Sequence, residues 1–281
     1  MGWLGKAVGG TLGFLVGGPW GAALGATVGH GLDRRAASAD LFGPTRAAER
    51  GRLQEIFIGT AFAVMGHLAK SDGRVDAAEI AFAESVMTRM GLTDNGRRTA
   101  IQSFNQGKSG SFALTPAVEA FRRASTGQTQ LHQLFLEIQL AAVYVRGVPA
   151  PAERAVLERV RLALQFPASR FRHVERVIQL QYQILGGGAR YSGGSGRGER
   201  PGANHRPAAS PLAGAYAVLG VTPQAGDAEV KRAYRLLMSQ HHPDKLMSRG
   251  APAEALKMAS QKTHEIRQAY ETILQARGGA G

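Results

Sequence analysis

Val230–Lys245 reads VKRAYRLLMSQHHPDK, and this stretch decides the fold of the C-terminal part of the chain. Val230, Ala233, Tyr234, Leu237, Met238 and His241 recur at the spacing of one α-helical face. Lys231, Arg232 and Arg235 fall on the other side and make a basic stripe. Pro243 lacks a backbone donor and pushes His242 out of the helical region, so the helix is predicted to stop there. His242-Pro243-Asp244 then forms a fixed turn at the tip of a positive helix.

The flanking residues supply partners for that helix. A second helix is predicted from Pro252, a favoured first helical residue, to about Gln275, before Gly278-Gly279. Leu256, Ala259, Ile266, Ala269, Tyr270 and Ile273 are its apolar positions, and Tyr216-Ala217-Val218-Leu219-Gly220-Val221 can lie across the pair. Asp227, with Glu229 beside it in the first turn, reads as the N-cap of the long helix.

YAVLGV, EVKRAYRLL, HHPDK and KTHEIRQAYETIL, in that order within one small unit, resemble the J domain of the DnaJ co-chaperone family. A lone HPD tripeptide is common by chance, whereas the joint arrangement is specific. The resemblance implies binding to a DnaK-type ATPase chaperone and acceleration of its ATP hydrolysis, with no chemistry on this chain. By the same resemblance His242, Pro243 and Asp244 meet the partner's interdomain junction. Lys231, Arg232, Arg235 and Lys245 would face an acidic surface, a pairing that sets encounter rate and weakens with salt. Tyr234 is expected in the core and His241 is expected to be structural.

The composition narrows the remainder. The chain has 281 residues, no cysteine and a formal net charge of +13. One to three domains are expected. Disulfides, thiol nucleophiles and cysteine zinc sites are excluded, and an anionic partner is implied: nucleic acid, an acidic protein or a membrane face.

No Asp, Glu, Lys or Arg occurs from Ala7 to Leu32, more than the roughly 20 residues of a spanning helix. Gly5, Gly9, Gly13, Gly17, Gly21, Gly25 and Gly29 repeat every fourth residue, a stripe along which two helices can approach and dimerise. Leu, Phe and Val side chains there contribute only about −2 to −4 kcal/mol to insertion, so self-association would add needed stability. Residues 1–35 are therefore expected to form a transmembrane segment. A cleaved signal peptide, a loose glycine-rich segment and two short helices folded at Gly17-Gly18-Pro19 are the competing readings. Arg34, Arg35, Arg46, Arg50 and Arg52 follow the segment, against Lys6 and the amino terminus before it, which predicts that the C-terminal bulk is cytoplasmic.

Residues 50–185 read as an all-helical domain. Ile56, Phe57, Thr60, Ala61, Val64 and Leu68 form one face, and further helices are predicted over 80–90, 96–106, 115–124, 129–146, 151–165 and 170–184. A faint repeat relates Gly73, Glu79, Phe82 and Val86 to Gly147, Glu153, Val156 and Val160 at an offset of 74 (147 − 73). The AKSDGRVDAAE segment resembles the acidic turn of TerB-like tellurite-resistance domains. Asp72, Asp76 and Glu79 are metal-ligand candidates by type. The better account is a capping box from Asp76 to Glu79 behind an Asp72-Gly73 turn, and the second copy lacks those carboxylates. No nucleophile–base pair, phosphate loop or cofactor motif stands out.

Residues 186–211 turn rich in Gly, Ser, Pro and Arg, predicting a flexible linker that lets a J domain at 212–281 swing. The whole order, glycine-rich span, TerB-like domain, linker and J domain, resembles the DjlA family of membrane-anchored co-chaperones, all-α throughout. The competing function is a basic membrane-attached protein that binds nucleic acid or acts as a scaffold. Its basic residues are scattered without a stacking array of aromatic residues, so no specific nucleic acid is expected. A metal site built on His241-His242 is weaker, because adjacent helical side chains diverge by about 100°.

Overall fold

The computed structural model describes residues 44–71, 73, 75–185 and 211–278. Every regular element among them is a helix: α1 (Pro44–Ser71), α2 (Ala77–Met90), α3 (Asp94–Gly107), α4 (Leu114–Ala124), α5 (Thr129–Tyr144), α6 (Pro151–Ala163), α7 (Ala168–Leu185), α8 (Pro211–Leu219), α9 (Asp227–His241), α10 (Pro243–Met247) and α11 (Ala253–Gly278). The glycine repeat from Gly5 to Gly29 lies outside the described residues, as does nearly all of the predicted linker, whose last residue, Pro211, instead opens α8. Among the described residues no helix is long and apolar enough to cross a membrane.

α1 is the axis of the central domain. Leu53, Phe57, Ala61, Val64 and Leu68 are buried along it, and Phe121 from α4 bridges Phe57 and Phe135 with ring centroids 5.8 and 4.9 Å away. α3 crosses α1 backbone to backbone at Gly66 and Gly107. A Cβ at either glycine would overlap a carbonyl of the opposite helix, that of Phe104 or Ala63.

The internal repeat is visible in the backbone. Gly73 and Gly147 both adopt positive φ, 106° and 118°, which side chains resist. Glu79 then accepts from the Asp76 amide at 2.9 Å and Glu153 from the Ala150 amide at 2.6 Å. Asp76 completes a capping box by accepting from the Glu79 amide at 2.9 Å.

The C-terminal unit has its own core of Ala215, Tyr216, Leu219, Val221, Val230, Leu237, Ile266, Ala269 and Ile273. Tyr234 stacks on Tyr270 with centroids 4.2 Å apart. Asp227 is not the N-cap of α9. Gly226 occupies that position, and the Asp227 carboxylate instead receives Arg277, which also donates to Tyr216 Oη at 3.0 Å and to the Ala225 carbonyl at 2.6 Å. An arginine at the far end of α11 competes for the charge better than the helix's own amides.

The expectation of a free-swinging C-terminal unit is corrected by the packing. Leu246, Ala251, Ala255, Met258 and Ala259 are buried in the core of the central domain. Gln54 donates to Glu254 at 2.8 Å, Arg89 pairs with Glu265 at 3.3 Å, Gln181 donates to the Val218 carbonyl at 3.3 Å and Arg249 donates to the Gly127 carbonyl. The first half of α11 therefore belongs to one core and its second half to the other.

Candidate partner-binding site

The tip of α9 is built by three adjacent residues with different tasks. His241, the last residue of the helix, is buried, with Nε2 3.3 Å from Glu137 Oε1 of α5. Burial pushes its pKa down, assisted by Lys262 and opposed by Glu137 and Glu265. His242 leaves the helix at φ −61° and ψ 122°, the extended conformation that the following proline demands. Its side chain turns outward and caps α10, Nδ1 accepting from the Asp244 amide at 3.3 Å. An accepting Nδ1 leaves the ring proton of the neutral form on Nε2.

Pro243 is the first residue of α10, where its missing donor costs nothing. Asp244 stands 78% exposed, its Oδ2 3.6 Å from His242 Nδ1. Lys245 folds back, Nζ donating to the carbonyl and hydroxyl of Ser239 at 2.8 Å each. This clips α10 onto the end of α9, a structural task that its sequence position did not reveal. Lys231, Arg232 and Arg235 are exposed along α9, together with Leu236.

The carboxylates considered for metal binding are otherwise engaged. Asp76 Oδ2 and Glu79 Oε1 lie 3.0 and 3.1 Å from the guanidinium of Arg146, while Asp72 lies outside the described residues. Burial raises the pKa of Glu79, and the Asp76 amide and Arg146 pull it back. Arg146 occupies the repeat position of Asp72 (146 − 74 = 72), so the second copy supplies the cation that the first copy's acids require. That signal was present in the sequence. His241 and His242 diverge, one inward and one outward, and among the described residues no three His, Asp or Glu converge on a common point.

An all-helical module presenting an exposed His-Pro-Asp turn on a basic helix, carried by a helical platform, is the class that this geometry defines. Residues 214–277 match the DnaJ domain, residues 59–176 match tellurite resistance protein TerB, and residues 1–50 match the co-chaperone DjlA transmembrane domain. The chain is 40% identical to co-chaperone protein DjlA of Escherichia coli (strain K12) over 99% of both chains. The co-chaperones of the same name from Coxiella burnetii and Photobacterium profundum are each 38% identical, covering 99% and 98% of this chain and 99% of theirs. No solved structure matches. The chain belongs to the DjlA family of membrane-anchored co-chaperones.

Proposed function

We propose that this protein stimulates ATP hydrolysis by a DnaK-type chaperone and recruits it to clients or stress signalling at the bacterial inner membrane, with its C-terminal bulk in the cytoplasm. His242, Pro243 and Asp244 form the contact that triggers hydrolysis, and Lys231, Arg232 and Arg235 guide an acidic partner surface onto it. Lys245 holds the turn in place and adds positive charge beside it. The observation that carries this reading is the split of the two histidines. His241 is fixed inside the domain boundary, so that His242 and Asp244 project from a held tip.

Pre-organisation of the tip matters because ordering a turn on binding would consume affinity. The basic stripe is exposed and therefore acts mainly on encounter rate. The test is single-turnover ATP hydrolysis by the partner with the full-length chain in bilayers. Wild type should stimulate and His242→Gln should not, with both proteins giving the same helical spectrum. Equal stimulation by the two would sink the reading.

The chain is further proposed to form a homodimer through Gly5, Gly9, Gly13, Gly17, Gly21, Gly25 and Gly29. Close backbone approach along such a stripe supports this. Fluorescence transfer between labelled copies in bilayers should fall when Gly13, Gly17 and Gly21 become Leu, and persistence of transfer would exclude the stripe as the contact.

A further inference from the structure

The His-Pro-Asp turn is fastened to the central domain on both of its sides. Gln240 and His241, which close α9, are held by α5. Gln133 Nε2 donates to Gln240 Oε1 at 3.3 Å, and Glu137 Oε1, one turn further along α5, lies 3.3 Å from His241 Nε2. Beyond the turn, Leu246 of α10 is buried in the core of the central domain, and α10 packs on α5. Only His242, Pro243, Asp244 and Lys245 lie between these anchors, and Lys245 is itself tied back to Ser239.

The grip on α9 sets a direction as well as a position. Consecutive helical side chains diverge by about 100°, so holding Gln240 and His241 together opposes rotation of α9 about its axis as well as sliding along it. Residues four apart share a helix face, and Gln133 and Glu137 make both contacts from one side of α5. They also hold each other, Gln133 Nε2 donating to Glu137 Oε1 at 2.9 Å. Gln133 and His241 are buried and the Glu137 side chain is 13% exposed, so water competes little for these contacts. Lys262 of α11 lines the same crevice, so the carboxylate is not an isolated buried charge.

We propose that Glu137 of the central domain, backed by Gln133, is a positioning residue for the chaperone trigger, acting through His241 to aim His242 and Asp244. The inference rests on the co-chaperone reading above and deepens it, giving the central domain a part in stimulation without contact with the partner. A mis-aimed turn would still be brought to the partner by Lys231, Arg232 and Arg235. What it would lose is the alignment needed as hydrolysis is triggered.

The experiment uses the full-length chain in bilayers and separates the partner's maximal single-turnover rate from the chain concentration that gives half of it. Glu137→Ala should lower the maximal rate roughly three- to tenfold, the worth of a buried hydrogen bond. The half-maximal concentration, which the basic stripe governs, should stay within about twofold. Glu137→Gln keeps an accepting oxygen and should retain most of the rate. Val160→Ala, in the core at α6, controls for lost stability and should lower the melting temperature without slowing the partner. Adding His241→Gln to Glu137→Ala should cost no more than the larger single change, because both remove one link. The inference is overturned if Glu137→Ala leaves the rate intact or shifts only the half-maximal concentration. It is equally overturned if Val160→Ala slows the partner as much, if Glu137→Gln is as slow as Glu137→Ala, or if the losses in the double variant add. Each of those results leaves the co-chaperone reading standing, whereas failure of the wild type to stimulate would remove both.

Discussion

His241 and His242 are neighbours in sequence and opposites in environment. His242 is half exposed, whereas His241 is sealed between α5, α7 and α11. Glu137 on α5, His173 on α7, and Lys262 and Glu265 on α11 surround it. The docked state holds the His241 pKa below its ordinary value of 6.5, chiefly by burial. A released His241 would titrate near 6.5, so docking is strongest above that pH and is lost progressively as pH falls below it. The chain has no native cysteine, so dyes can be placed on cysteines introduced at the exposed positions Ser111 and Gln275. Energy transfer between them should decrease on acidification from about pH 7.5 to about 5.5, and His241→Gln should flatten the response. A wild-type signal that ignores pH over this range would show that the histidine does not gate docking.

Helices were legible because their two signals are local. The apolar period marked α1 and α9, and the capping box from Asp76 to Glu79 fixed the start of α2. The His-Pro-Asp turn was legible for the same reason, since a proline dictates its neighbour's backbone within two residues. Long-range choices were hidden. α11 buries one flank against α9 and another against the central domain, and a reading for a single apolar face did not pick out Ala255 and Met258. Nothing in the sequence singles out Gly66 and Gly107, and only the crossing of α1 and α3 explains why nothing larger fits there. Lys245 and Asp227 were assigned by type, and each found a competing partner, Ser239 or Arg277, that spacing alone did not name. Arg146 is an intermediate case, since the repeat offset aligned it with Asp72 without saying that the two copies touch or that it would reach Asp76 and Glu79.

The connection between the domains runs through one rigid element, and that has a thermodynamic consequence. Leu246, Ala251, Ala255, Met258 and Ala259 are part of the central core, and Ile266, Ala269 and Ile273, further along α11, are part of the other. Melting the J unit would therefore strip apolar cover from α1, α2 and α5 and leave the Arg89–Glu265 pair open. Each fully buried large apolar side chain contributes about 1.5–3 kcal/mol, so losing Leu246 and Met258 together is a large fraction of a domain's usual margin of roughly 5–15 kcal/mol. The described part of the chain is accordingly expected to unfold as one cooperative unit, with calorimetric and van't Hoff enthalpies in agreement. Scanning calorimetry of residues 44–278 checks this directly. Met258→Asp, which buries a charge in the central core while sparing the J core, should lower the single transition for both parts at once. Two separate transitions in the wild type, with only the lower or only the upper one shifted by Met258→Asp, would mean that the domains merely touch.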